Sequence, residues 1–194
     1  MENNQLTEKI FYVGVDDKEI DLFEGQYVVP DGISYNSYVI KDEKIAVMDT
    51  VDLSKCDEWC KNLETVLENR EPDYLVVLHM EPDHAGSIEV FLNKYKSAKV
   101  VTNPKTLQMM PQFFENLDLT DRAVIVNEGE NLSLGSHSLV FVMAPMVHWP
   151  EVMVTYDKTT GALFSADAFG AFGAINGNIY DSEVNWVRDY LDEA

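Results

Sequence analysis

The chain has 194 residues, enough for one buried core or for part of a larger protein, and its 46 % apolar and 25 % charged residues are those of a globular rather than a disordered chain. A formal charge of −20 repels phosphate backbones and anionic lipid, so no nucleic acid and no membrane is expected as a partner. The polar start Met1-Glu2-Asn3-Asn4-Gln5, and the lack of any apolar run near the ~18 residues of a spanning helix, point to a cytoplasmic protein.

In chain order, residues 9–15 alternate as a strand, which the Asp16-Asp17-Lys18 cluster is expected to turn. Residues 34–40 read as a second strand, joined through Lys41-Asp42-Glu43-Lys44 to residues 45–48 as a hairpin. That strand stops at Asp49, where a carboxylate can hydrogen-bond a ligating imidazole from behind, although such an Asp taken alone is most often a turn residue. Residues 53–68 carry Trp59, Leu63, Val66 and Leu67 at helical spacing, with Trp59 expected in the core. On the same helix Cys56 and Cys60, four positions apart, read as reduced packing thiols. Residues 74–78 are continuously apolar, the mark of a strand buried on both faces.

That strand runs directly into His79-Met80-Glu81-Pro82-Asp83-His84, four metal-type ligands within six positions. Pro82 and Gly86 are expected to exclude a regular helix between them and so let the donor atoms converge. Imidazole nitrogens favour transition metals and carboxylate oxygens offset the charge, so the set suits iron, manganese or zinc. One His with one Asp after a strand is most often a solvated loop; four such residues at this spacing reverse that expectation.

Beyond the loop, Ser87 is placed to cap a helix reaching Tyr95, and residues 99–102 return as a strand. Pro104 opens a helix to about Phe114, with Met109, Met110, Phe113 and Phe114 expected in the core. Short strands follow at residues 123–126, 131–134 and 138–144, and the last delivers His148 between Pro145 and Pro150. A hairpin of residues 152–156 and 162–165 then releases Asp167, residues 170–174 read as a loop, and residues 181–191 as the start of a helix. The ligand-type residues thus gather at strand ends, as they do when a site lies along one edge of a sheet.

Taken together the pattern resembles the metallo-β-lactamase superfamily, and more closely the flavodiiron proteins (A-type flavoproteins), in which Glu replaces the second His of the zinc hydrolases' motif. The residues that carry the likeness are Tyr35-Asn36-Ser37-Tyr38, Met48-Asp49-Thr50, the run from His79 to Ser87, the run from Pro145 to Pro150, and the run from Phe164 to Gly170. It spans essentially the whole chain. The resemblance implies an α/β (α+β) fold, a metallo-β-lactamase-like αββα sandwich with mixed sheets, of which residues 1–194 would be one partial domain. It also implies two non-haem irons, with His79, Glu81 and His148 on one, Asp83 and His84 on the other, and Asp167 bridging; the position of His84 is not always a ligand in the family. The implied reaction is reduction of dioxygen to water, or of nitric oxide to nitrous oxide, with electrons from a flavin/rubredoxin-type donor.

Two departures from that pattern set further expectations. The family's last iron ligand, a His after the bridging Asp, has no counterpart here, since His137 lies upstream of His148. The flavodoxin-like domain is missing too, so FMN is expected only from an absent or separate domain. A sandwich incomplete at the C-terminus would leave an apolar face to be met by a second copy or a complementing chain, whether the chain is a fragment, a split protein or a remnant. Two other functions share the scaffold: a zinc-dependent hydrolase and a non-catalytic metal-binding remnant.

Overall fold

A computed structural model describes residues 4–183 and folds them into two stacked sheets with helices on one side. In chain order the first strands are β1 (Ile10–Tyr12), β2 (Val15–Asp17), β3 (Leu22–Phe23), β4 (Tyr27–Val28), β5 (Ile33–Tyr35), β6 (Tyr38–Lys41) and β7 (Ile45–Met48). Then come α1 (Cys56–Leu67), β8 (Tyr74–Val76), α2 (Pro82–Ala85), α3 (Ile88–Lys94), β9 (Lys99–Thr102) and α4 (Pro104–Phe113). The rest is β10 (Ala123–Ile125), β11 (Asn131–Ser133), β12 (Ser138–Met143), β13 (Met153–Asp157) and β14 (Leu163–Phe164).

The larger sheet has the order β1-β6-β7-β8-β9-β10. Its first three strands are antiparallel neighbours, whereas β7 to β10 run parallel because a helical or long crossover separates each from the next. Helices cover one face: Val47, Leu75 and Val77 pack with Trp59 and Leu63 of α1 and Phe91 of α3. The other face meets the smaller sheet β11-β12-β13-β14, where Met48, Val76 and Leu78 oppose Leu139, Phe141, Met153 and Phe164. Strand β8 is therefore buried on both sides, as its unbroken apolar run requires.

The two sheets are tied at the end away from the strand C-termini. Asp42, in the β6–β7 turn, accepts from Lys9 Nζ at 2.6 Å, from the His137 backbone N–H at 2.7 Å and from Ser136 Oγ at 3.0 Å. His137 itself turns its Nδ1 to Asp157 at 2.9 Å, remote from the other imidazoles.

Several local expectations are corrected. Asp16 and Asp17 do not turn the first strand; they continue as β2, paired with β5. Residues 34–40 form two strands, not one, because Ser37 between them accepts from Trp59 Nε1 and donates to the Asp49 carbonyl, both at 3.0 Å. A helical turn does form over Pro82–Ala85, since proline at a first helical position forfeits an N–H that has no intrahelical partner anyway. Ser87 precedes α3 without a capping bond from its side chain, and Phe113 is 41 % exposed instead of buried.

Three layers of the expected αββα sandwich lie among the described residues, and Val142, Tyr156 and Leu163 are exposed on strands of the smaller sheet. Of the helix expected from residue 181, the described part is a 3₁₀ turn, Asp181–Glu183; the remainder lies outside the described residues. Cys56 and Cys60 are free thiols with sulfurs 4.0 Å apart. No helix among the described residues is long and apolar enough to cross a membrane.

Candidate metal centre

Strands β7 and β8 are parallel, so the residues that follow them, Asp49 and His79, emerge at the same edge. The smaller sheet is stitched to that edge where the Met153 N–H donates to the Leu78 carbonyl at 3.1 Å, which carries the His148 loop over His79. The loop after β14 brings Asp167 to the same place. The helical turn α2 holds Asp83 and His84, and its backbone is fixed by Thr50, whose N–H and Oγ1 both donate to the His84 carbonyl at 2.8 Å.

The structure brings all six residues singled out in the sequence together, in two groups that share one member. Ligand atoms of His79, Glu81, His148 and Asp167 all lie within 4.8 Å of one another, and so do those of Asp83, His84 and Asp167. Glu81 Oε2 is 3.0 Å from His79 Nε2 and 2.8 Å from His148 Nε2. Asp167 reaches both groups: Oδ1 is 2.7 Å from His84 Nε2, while Oδ2 is 3.2 Å from His79 Nε2 and 3.3 Å from His148 Nε2. Asp83 Oδ2 stands 3.6 Å from His84 Nε2. His79, Glu81 and His84 are buried, whereas the His148 side chain is 54 % exposed and leaves the centre open on one side.

So many carboxylates around buried imidazoles draw positive charge. Burial opposes protonation of His79, but the neighbouring carboxylates of Asp167, Glu151 and Glu81 outweigh it and push the imidazole up to about 11. His84 is raised in the same way against its burial, by Asp167 and Asp49. Burial likewise opposes ionisation of Glu81 and Asp167, yet His79, with Glu24, holds Glu81 down to about 2, and His79 and His84 hold Asp167 well below the usual carboxylate range. Asp83, chiefly through burial, is pushed up to about 6. Buried Asp83 Oδ1 and Asp167 Oδ2 have no hydrogen-bond partner. Oxygens left bare in such a field are placed for a cation, which competes with protons for the same donor atoms. The donor set therefore fits a transition-metal pair.

Behind the candidate ligands, Asp49 meets an imidazole as its strand-end position suggested: Oδ2 lies 3.1 Å from His84 Nδ1 and Oδ1 accepts the Leu78 N–H at 2.7 Å. Two further acids went unnoticed in the sequence. Glu151 is 1 % exposed, with Oε1 2.7 Å from His79 Nδ1; an acid three residues after a candidate ligand was the only available signal. Glu24 faces Glu81 across the cavity mouth, and that neighbouring carboxylate, with partial burial, pushes its own carboxyl up to about 7. A cavity of about 710 Å³, walled by Tyr35, Lys55, Phe113 and Trp149, leads down to Glu81 and Asp83.

Comparison with known proteins places this geometry among relatives. Residues 33–191 match the sequence model of a family described as ODP family beta lactamase. The chain is 35 % identical over 166 residues to a nitric oxide reductase of Moorella thermoacetica, covering 85 % of this chain and 41 % of that protein. It superposes on the rubredoxin oxygen:oxidoreductase of Desulfovibrio gigas with a TM-score of 0.82 and 31 % identity, over 88 % of this chain and 42 % of the other. For the flavodiiron protein of Giardia intestinalis the TM-score is 0.81 at 31 % identity, over 88 % and 41 %. The chain thus spans about two-fifths of the length of these relatives.

Proposed function

The chain belongs to the ODP family of beta-lactamase-like proteins, alongside the flavodiiron proteins, and from that premise we propose that its strand-end loops hold two non-haem irons in a reductase of dioxygen or nitric oxide. The observation that carries this reading is Asp167, a carboxylate shared by two donor groups. His79, Glu81 and His148 would hold one iron, Asp83 and His84 the other, with Asp167 between them. Bound there, a pair of irons supplies electrons two at a time to a diatomic molecule. Oxygen-rich donor sets with a few imidazoles suit iron better than the nitrogen- and sulfur-rich sets that favour zinc.

The chain's own residues do the rest. Asp49 fixes the His84 ring so that Nε2 faces Asp167. Met80, behind the ligands, is fully buried and keeps water from that side, while the open face at His148 admits a small substrate. Around that face Phe169 is 92 % exposed and Met146 70 %, an apolar rim suited to an electron-donating partner or a second copy of the chain. On this reading residues 1–194 are part of the di-iron domain, and FMN and a rubredoxin-type donor act from outside them.

Metal analysis after anaerobic, iron-supplemented expression tests the proposal. Two irons per chain, and dioxygen or nitric oxide consumption driven by a reduced flavodoxin or rubredoxin, are expected. Stoichiometric zinc with no iron, together with ester or lactam turnover lost in Asp83→Ala, would point to a hydrolase instead.

A further inference from the structure

We propose that Glu151 is the positioning residue for His79: its buried carboxylate takes the imidazole's Nδ1–H and so commits Nε2 to the metal. The inference rests on the reading that His79 is a ligand. A neutral imidazole carries one proton on two nitrogens, and whichever nitrogen finds an acceptor keeps it. His79 Nε2 faces Glu81 Oε2 and Asp167 Oδ2, at 3.0 and 3.2 Å, on the side where the donor groups converge. Nδ1 faces the opposite way, to Glu151 Oε1 at 2.7 Å.

The carboxylate is itself held in place. Oε1 also accepts the Met80 N–H at 2.9 Å, so one oxygen is bonded both to the ring and to the backbone next to it. The Glu151 carbonyl accepts Asn103 Nδ2 at 2.6 Å. Asn103 Oδ1 in turn caps α4, accepting the Lys105 and Thr106 N–H groups, each at 2.9 Å. Glu151 is thereby anchored to a helix end that carries none of the candidate ligands.

Its burial argues against a merely structural part. Glu151 is 1 % exposed and Oε2 has no hydrogen-bond partner. Pairing the Met80 N–H alone needs only a neutral acceptor, which would avoid the penalty of burying a charge with one bare oxygen. What the charge adds is a stronger bond to an N–H that becomes more acidic when the other nitrogen binds a cation. Asp49 repeats the arrangement on His84, accepting the Leu78 N–H, so the two carboxylates bracket the segment Leu78-His79-Met80. Among the described residues no carboxylate bonds the Nδ1 of His148.

The protein loaded anaerobically with zinc, a diamagnetic probe, provides the test. In the unsubstituted protein the His79 Nδ1–H should give a slowly exchanging, downfield ¹H–¹⁵N resonance. Glu151→Ala is expected to lose it and to bind zinc about 10- to 100-fold more weakly, the usual effect of removing such a partner. Glu151→Gln keeps an acceptor of the same shape without the charge, so its resonance should persist but move upfield, with a smaller loss of affinity. A structural role alone would lower the melting temperature of both variants and leave resonance and affinity unchanged; that result overturns the proposal. If Glu151→Ala does not fold, an unmoved resonance in Glu151→Gln overturns it equally. Undiminished zinc binding in His79→Ala would instead refute the metal-centre reading on which the inference rests.

Discussion

Asp167→Asn asks whether one carboxylate serves both metals. The substitution keeps the size of the side chain, but the amide offers one oxygen where the carboxylate offers two, and Oδ1 and Oδ2 now face different groups: 2.7 Å to His84 on one side, 3.2 Å to His79 and 3.3 Å to His148 on the other. Structural zinc held by four ligands binds with an apparent ~10–16 kcal/mol, about 3 kcal/mol per ligand. Since every ~1.4 kcal/mol is tenfold, a lost ligand weakens binding roughly a hundredfold. Asparagine costs one group a ligand outright and removes the negative charge from between two cations, so the second ion should be lost. Anaerobic ferrous titration followed by metal counting, with circular dichroism as a control for folding, should find at most one tightly held iron in Asp167→Asn. Asp83→Ala, which touches only the second group, should also keep one. Two irons retained in Asp167→Asn, with affinities within a few-fold of the unsubstituted protein, would refute the shared-carboxylate reasoning.

Other substitutions probe metal choice and stability. Glu81→His replaces an oxygen donor with a nitrogen, and zinc should become the majority metal after expression in iron-supplemented medium; metal analysis that still finds mainly iron would argue that Glu81 does not select it. Trp59→Ala empties a site that is 0 % exposed and removes the donor to Ser37, so chemical denaturation should show a loss of about 3–5 kcal/mol. Asp42→Asn should cost about 1.5–3 kcal/mol at neutral pH, the worth of hydrogen bonds to a charged group. Burial alone would push the Asp42 carboxyl up, but Lys9 and the donors from His137 and Ser136 hold it well below the usual carboxylate range. With the folded-state value depressed, that stabilisation is fully present above the unfolded pKa of about 4 and is lost as pH falls through the folded-state value. The unsubstituted protein should therefore lose its advantage over Asp42→Asn below about pH 4; a difference that stays constant into acid would contradict the ion pair's role.

The sequence made β8, α1 and the ligand loop legible because each is written in neighbouring residues: an unbroken apolar run, a helical stripe at Trp59, Leu63 and Leu67, and four donors within six positions after β8, whereas the short strands β2 to β5 carry no such pattern. Asp49 could be inferred from its place at a strand end alone. Glu151 could not, since its meaning depends on a partner 72 positions away, brought near by the pairing of Met153 with Leu78. Glu24 sits in a two-strand excursion at a positive φ of 51°, where nothing in the local pattern points toward Glu81. Phe113 looked like core because hydrophobicity gives no direction at a helix end, yet there it lines the cavity leading to the centre. The break at Ser37 was hidden for the same reason: its two hydrogen-bond partners, Trp59 and Asp49, lie elsewhere in the chain.

The turns around the centre show how rigid strands are converted into a set of inward-facing donors. Asp49, Met146, Ala166 and Phe169 have φ values of 52°, 67°, 48° and 70°, in the left-handed region that side-chain-bearing residues avoid. Each lies within two residues of a candidate ligand or is itself the group behind one, and each such conformation costs on the order of 1 kcal/mol or more. The cost is met by what lies behind: strand β8 buried on both faces, and backbone N–H groups that donate from Leu78 to the Asp49 carboxylate, from Met153 to the Leu78 carbonyl and from Thr50 to the His84 carbonyl. A reversal of one residue lets the chain leave a strand and present the next side chain back toward the sheet edge, as Ala166 does for Asp167. A glycine at these positions would turn as easily but would loosen the loop through its greater conformational freedom. Side-chain-bearing residues held there against their preference keep the ligand atoms of each group within 4.8 Å of one another, with Asp167 common to both.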